Sequence, residues 1–264
     1  MGECLTAFQG MRSDERNGYS VLERGFRLLG AFGPEGRPLG LSELSRRAEL
    51  PKATAFRLAN QLVDLGALER SGDAYCLGTR LFELGSSVSR QRRLRDAALP
   101  LMEDLYEATH EMVHLGVRDD LRVLYVEKIL GSHSAPAPTQ VGTHRPLYCT
   151  ALGKAILAHS DPSLVRAVID AKLVRHTQYT ITSPEHLLAE LVAARAEGVA
   201  YDREEYHLGT TCVAAPLLGR SRYAEGALSV TGLTGRFHAE RVAAAVRTAA
   251  LALSRALDWS LWPS

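Results

Sequence analysis

Residues 41–78, LSELSRRAELPKATAFRLANQLVDLGALERSGDAYCLG, constrain the fold more than any other part of the chain. They set out two short helices, a tight turn between them and a hairpin behind them, in that order. Ser42 is placed as the N-cap of the first helix, which carries Leu44 and Ala48, because its hydroxyl can accept from an orphan backbone N–H of the first turn. A tight turn follows at Glu49 and Leu50, and Pro51, with its fixed φ and missing N–H, suits the start of the second helix. Ala55, Leu58, Leu62 and Leu65 recur at helical spacing and predict a buried side, while Lys52, Thr54 and Arg57 project from the other. After Gly66, the runs 67–70 and 74–77 flank Ser71-Gly72-Asp73 and read as a small hairpin, a wing that carries Arg70. An exposed basic helix start next to a wing is the arrangement that enters a major groove of duplex DNA. A helix pair and hairpin with a merely solvated polar side would look the same, so the rest of the chain decides.

At 264 residues, with 46% apolar and 23% charged side chains, the chain has ordinary globular composition and room for two domains. Its net charge is only +1, but residues 1–96 hold 15 Lys and Arg against 12 Asp and Glu, and the remainder 16 against 18. The basic excess therefore lies in the half with the helix pair. Cys4, Cys76, Cys149 and Cys212 stand far apart with no C-x-x-C pair and no secretory leader is read before them, which predicts reduced thiols and a cytoplasmic protein. No apolar run approaches the roughly 20 residues that span a bilayer, so no membrane partner is expected.

Residues 1–18 are read as a flexible tail. Residues 20–32 predict a helix with Ser20 and Glu23 as a capping box and Leu22, Phe26, Leu29 and Phe32 as its buried stripe, and Gly33-Pro34 ends it. The winged helix-turn-helix domain then occupies residues 19–78. A domain of that size is marginal alone and gains from a partner. Residues 79–111 form a helical linker with Leu81, Leu84, Val88, Leu94, Ala98, Met102 and Leu105, a place for dimerisation, and Pro100 marks a break or the first turn of a second helix. In residues 112–264 strands are expected at 112–117, 121–128, 199–203, 211–218 and 225–233. Helices are expected at 150–159, 162–173, 183–197 and 237–257, with a loop carrying Pro136 and Pro138. Such interleaving predicts an α+β domain whose mainly antiparallel sheet is covered by helices.

The segments VGTHRPLYCTALGKAILA (141–158), EGVAYDREEYHLGTTCVAAPLL (197–218) and EGALSVTGL (225–233), in this order behind the winged helix, resemble the IclR family of transcriptional regulators over residues 20–257. The resemblance implies a winged helix-turn-helix, a helical linker and a GAF-like effector-binding domain. It also implies homodimers or homotetramers on palindromic double-stranded DNA operators, and a small-molecule effector, often a carboxylate or aromatic acid. Carried onto this chain, it puts the DNA contacts at Ser42, Lys52, Ala53, Thr54, Arg57 and Arg70, and the effector cleft at Ala151, Leu152, Asp202, Cys212, Ser229 and Thr231. The residues themselves support the cleft: Thr150 is a good N-cap, so the N–H groups of Ala151, Leu152 and Gly153 make a ready anion site. Ser229 and Thr231, two apart on one strand, share a face. Two departures stand out. Glu49 occupies a turn position where the family often has Gly, and Ala53 stands where a small hydroxyl residue is usual.

His110-Glu111-Met112-Val113-His114 is a literal H-E-x-x-H, and a zinc-dependent hydrolase is the enzyme alternative it raises. That chemistry needs both histidines on one helix, whereas here the helix ends and a strand begins, so no catalytic, metal or cofactor residue is expected. Gly153-Lys154 fails as a nucleotide loop because Ala155 follows it. A sensory or scaffolding protein without DNA binding is the other alternative, and it would lack the salt-sensitive affinity for duplex DNA that a regulator shows.

Overall fold

A computed structural model of the chain describes residues 19–33, 36–131, 139–219 and 223–257; the expected tail and Pro34, Pro136 and Pro138 lie outside the described residues. The chain divides into two compact units between Ser89 and Arg90.

In the first unit, α1 (Val21–Gly30) opens with the expected capping box: the Ser20 hydroxyl accepts from Glu23 N at 3.2 Å, and the Glu23 carboxylate accepts from Ser20 N at 2.6 Å. The helix buries its C-terminal end through Leu28, Ala31 and Phe32, while Leu22 and Phe26 face outward, so the predicted stripe is too long. α2 (Leu41–Arg47) is capped by Gly40 rather than Ser42. The reason is that β1 (Leu39–Gly40) pairs with β3 (Ala74–Leu77) and holds Gly40 extended up to the helix start, leaving Ser42 exposed inside the first turn. Glu49 takes the left-handed conformation, φ 54°, that lets the chain reverse, and the Ser45 hydroxyl donates to Leu50 O at 2.6 Å to close the turn.

Pro51 is the N-cap of α3 (Lys52–Asp64), one position earlier than expected. Ala55, Leu58 and Ala59 are buried and Leu62 is partly so, but Leu65 lies past the last turn and is exposed. β2 (Leu68–Ser71) and β3 form the wing around Gly72, completing a three-stranded sheet in the order β1-β3-β2. α4 (Thr79–Ser86) follows and buries none of its residues.

The expected linker is thus two helices, broken near Ser87 rather than at Pro100. α5 (Ser89–Thr109) runs through Pro100, which removes one backbone donor, because Leu94, Ala98, Met102 and Leu105 on its buried side anchor it to the second unit on both sides of the proline. That unit is built on β4 (Met112–Asp119), β5 (Arg122–Ile129), β6 (His144–Pro146), β7 (Ala200–Arg203), β8 (Thr210–Leu218) and β9 (Ala224–Leu233). The strands pair antiparallel in the order β6-β5-β4-β9-β8-β7. β6 is three residues long, too short to show alternation in the sequence.

Side chains of period two divide between two cores. Val113, Leu115, Val213 and Val230 pack with α5 and α9 (Ala239–Ala256). On the other face Tyr125, Ala214 and Ala227 pack with α6 (Ala151–Ala158), α7 (Pro162–Asp170) and α8 (Pro184–Glu197). The unit is α+β, an antiparallel sheet with helices on both faces.

α6 lies directly on the turn before it: a Cβ at Gly153 would collide with the backbone of Leu147. Gly153→Ala is therefore expected to destabilise the second unit by about 2–3 kcal/mol. Gly25→Ala, in the middle of α1 with open space around it, should stabilise the first by about 0.5–1 kcal/mol. Urea midpoints of the two variants moving in the same direction would refute this packing.

Candidate functional site

In the first unit, charge neutralisation separates the arginines. Glu43 accepts from Arg46 at 2.6 Å and from Arg47 at 2.7 Å, and these hydrogen bonds hold its carboxyl down at about 2. Arg27 is taken up by Glu49 and by the Tyr19 hydroxyl. Lys52 and Arg57, at the start of α3, are exposed and have no ion pair among the described residues. Ala53 is exposed beside them and Thr54 is half-buried. Arg70 plays another part: it donates to Asn60 Oδ1 at 2.7 Å and lies 5.0 Å from the Tyr75 ring centroid, fastening the wing to α3. Phe56, next to Arg57, is exposed on the same helix; reading that side for charge alone passed over it.

The H-E-x-x-H residues do not share a helix. His110 follows α5 with φ 54° and stands edge-on to Tyr106, and the Glu111 carboxylate pairs with Arg236 at 3.1 Å. His114 is buried in β4, its Nε2 2.8 Å from Thr139 Oγ1. Burial, with Lys128 nearby, pushes its imidazole down to about 3, so the ring is neutral. Among the described residues no group of His, Cys, Asp and Glu is arranged to hold a metal ion.

Strand register assembles the second site. Asp202 of β7 stands opposite Cys212 of β8, Cys212 opposite Thr231 of β9, and Thr231 opposite Met112 of β4. Two residues along, Ala214, Ser229 and His114 form the next row on the same face. The Thr231 hydroxyl donates to Cys212 Sγ at 3.1 Å and lies 3.5 Å from His114 Nδ1. α6 crosses this face, with Ala151 and Leu152 buried at its start. Thr150 caps it as expected, but its hydroxyl takes the Gly153 N–H at 3.1 Å, which leaves the N–H groups of Ala151 and Leu152 as the first-turn donors. The structure thus gathers Asp202, Cys212, Ser229 and Thr231 on the sheet face that α6 covers. It adds His114, which the sequence presented only as half of a zinc motif.

Asp202 is buried, and Oδ1 accepts from Glu205 N at 2.7 Å across the turn between β7 and β8. Burial, and then the neighbouring Glu205 charge, push its carboxyl up to about 7. Burial likewise raises the Cys149 and Cys212 thiols, which stay protonated. Beneath the cleft, Lys154 of α6 is 0% exposed and donates to Glu190 of α8 at 2.9 Å and to Glu205 at 2.5 Å. The loop before α8 holds the same turn from outside, since Thr177 and Thr180 hydroxyls donate to the carbonyls of Glu204 and Glu205, each at 2.6 Å.

Two expectations follow. Lys154→Met strands the buried Glu205 carboxylate and should cost about 3–5 kcal/mol of stability, most of it recovered when Glu205→Gln is added. Equal urea midpoints for single and double variants would contradict the pairing. For Asp202 the folded value lies above the ordinary 3.8, so the folded state binds the extra proton and stability falls as pH rises from about 4 to about 7. The Glu205 shift has the same sign. Asp202→Asn keeps the acceptor for Glu205 N and should remove a slope on the order of 1 kcal/mol per pH unit in that window. An unchanged pH profile would place the titration elsewhere.

Comparison with known proteins matches this architecture unit by unit. The model of the IclR helix-turn-helix domain covers residues 21–72, and that of the bacterial transcriptional regulator IclR C-terminal domain covers residues 86–255. The chain is 34% identical over 244 residues to the HTH-type transcriptional regulator KdgR of Escherichia coli K12, covering 90% of this chain and 92% of that one. It is 29% identical over 226 residues to the E. coli transcriptional repressor IclR, with 84% and 82% covered. Among solved structures, an IclR homologue from Microbacterium hydrocarbonoxydans complexed with 4-hydroxybenzoate superposes with a TM-score of 0.84 at 29% identity, covering 89% of this chain and 98% of that one. The Thermotoga maritima IclR gives 0.75 at 29% identity, covering 90% and 98%.

Proposed function

The chain belongs to the IclR family of bacterial transcriptional regulators, and on that premise we propose that it binds a palindromic operator as a homodimer or homotetramer and releases or engages it in response to a small acid. The observation that carries the effector reading is the polar row Asp202, Cys212 and Thr231, with Ser229 two residues on, on the sheet face covered by the start of α6. Hydroxyls and a capped helix start suit a carboxylate, and the aromatic acid in the Microbacterium homologue supports the same class. Ala151, Leu152, Asp202, Cys212, Ser229 and Thr231 are the effector residues in this reading.

For DNA, the reading assigns Lys52 and Arg57 to the groove and gives Ala53 and Thr54 backbone or methyl contacts beside them. Ser42, exposed in the first turn of α2, is assigned to a phosphate, and Arg70 acts by holding the wing against α3. Self-association is supported by the apolar residues that one copy leaves in water: Phe82, Leu84 and Val88 on and after α4, and Leu22 on α1. One small winged helix also buries too little for tight specific binding, so two act together on half-sites. Residues 79–111 then serve as linker and dimer contact, between a DNA-binding domain at 19–78 and an effector domain at 112–264. No helix is long and apolar enough to cross a membrane among the described residues, in keeping with action on DNA in the cytoplasm.

The two sites should fail separately. Arg57→Ala is expected to weaken specific operator binding by roughly 1–3 kcal/mol while leaving effector binding intact. Ser229→Ala and Asp202→Ala should keep operator affinity and lose the effector response. Fluorescence anisotropy with labelled operator, with and without acid, separates these outcomes. Pocket variants that respond as the parent does would overturn the cleft, and a folded Arg57→Ala with parental affinity would remove that arginine from the interface.

A further inference from the structure

The outward side of α3 carries an aromatic ring among its polar groups. Ala55, Leu58 and Ala59 turn into the core, with Leu62 partly buried behind them. At about 3.6 residues per turn, the opposite ridge of the helix is Ala53, Phe56, Arg57 and Asn60. The first three are exposed, and Phe56 leaves 47% of its surface in water. Its ring joins neither the core of this unit nor an aromatic or cation contact among the described residues. Asn60, one turn further along the ridge, accepts from Arg70 of the wing at 2.7 Å. Phe56 therefore stands between the helix start, with Lys52, and the point where the wing is fastened. Lys52 and Arg57 flank it without an ion pair among the described residues, so a second copy of the same face would be repelled while a polyanion would be drawn to it.

A phenyl ring has one apolar target in a major groove. Adenine, guanine and cytosine present donors and acceptors there, and only thymine adds a C5 methyl group. Set over a polar base edge, the ring would strip water from groups that it cannot bond. Set over the methyl, it removes apolar surface from water on both partners. Ala53, three residues before Phe56, lies about 5–6 Å away at Cβ and widens the same apolar patch with its own methyl. On the other flank of Ala53, the Arg57 guanidinium has the fork that matches guanine O6 and N7. We propose that Phe56, with Ala53 beside it, reads the C5 methyl of a thymine in each half-site, within about two base pairs of the one that Arg57 contacts. This rests on the placement of α3 in the major groove above and deepens it by naming a base that the site contains.

The experiment selects a duplex from a random pool with the full chain and then replaces each thymine in turn by deoxyuridine, which pairs alike and lacks only the C5 methyl. Fluorescence anisotropy reads the affinities. At one thymine per half-site the replacement should weaken parental binding about threefold to fivefold. Phe56→Ala should bind the thymine and deoxyuridine duplexes alike, and Phe56→Leu should keep part of the difference. Both variants should retain the parental urea midpoint, since the ring lies outside the core. Arg57→Ala should lose overall affinity and keep the thymine preference. A parent chain indifferent to every replacement overturns the inference, and so does Phe56→Ala with the parental preference. If Arg57→Ala still weakens binding in either case, α3 stays in the groove without Phe56 as a reader. A change of mass in light scattering for Phe56→Ala, with the thymine preference intact, assigns the ring to a protein contact and overturns the inference. A chain that recovers no specific duplex overturns the DNA reading on which it rests.

Discussion

A lysine ammonium with no exposure to water holds the second unit in register. Lys154 projects from α6 into a site where Glu190 of α8 and Glu205 of the turn between β7 and β8 both accept from it. Removing two charges from water costs several kcal/mol per ion, and an apolar side chain of the same volume often packs there at no loss. What the ionic arrangement adds is direction: an apolar residue would tolerate a helix shifted by a fraction of a turn, whereas Nζ has to meet oxygens on two separate elements. Everything in the cleft is referred to those elements. α6 presents the Ala151 and Leu152 N–H groups, and the turn presents Asp202, whose Oδ1 is fixed by the N–H of the same Glu205 that holds the lysine.

Burial of this network also sets its protonation. Asp202 shares a dry site with Glu205, and of two nearby carboxyls only one is matched by the lysine. The unmatched one therefore binds its proton more tightly, and near neutral pH Asp202 is poised between acceptor and donor. With His114 neutral and both nearby thiols protonated, the cleft wall is a set of uncharged donors and acceptors rather than a field of fixed charge. In the proposed reading such a wall would distinguish ligands by where their hydroxyls stand.

Local chemistry was legible in the sequence wherever one element settles the outcome. Thr150 and Ser20 cap the helices they precede, and the chain reverses at Glu49 with a left-handed residue although the residue is not glycine. Ser229 and Thr231 share a face because alternation alone requires it. The misreadings arise where a second element intervenes. Ser42 is a better cap than Gly40 by side chain, yet β1 pairs with the wing and starts the helix early. Leu22, Phe26 and Leu65 have the right spacing for a buried side and are nevertheless exposed. Pro100 reads as a break, but packing on either side carries the helix through. The polar row Asp202, Cys212, Thr231 joins residues whose neighbours across the sheet depend on register, which no single strand encodes, so the chain's own periodicity could not pair them. His114 was hidden for the same reason, inside a motif for another chemistry.

Alternation along the strands also bears on how a ligand can act at a distance. Met112, His114, Cys212, Ser229 and Thr231 line the cleft, and the residues between them, Val113, Val213 and Val230, pack on the reverse face against the core that includes α5. A ligand that draws the cleft strands together moves the intervening side chains with them, since a close-packed interior transmits strain rather than absorbing it. In the proposed reading α5 would receive that displacement along Leu94, Ala98, Met102 and Leu105, and it begins at the boundary between the two units. An effector in the proposed cleft would change DNA affinity only to the extent that it bound one placement of α5 more tightly than another, because equal binding to both shifts no population. A tight grip on a rigid site is therefore not enough for regulation. In the proposed reading, the strands that would hold an effector are also the strands against which α5 is packed.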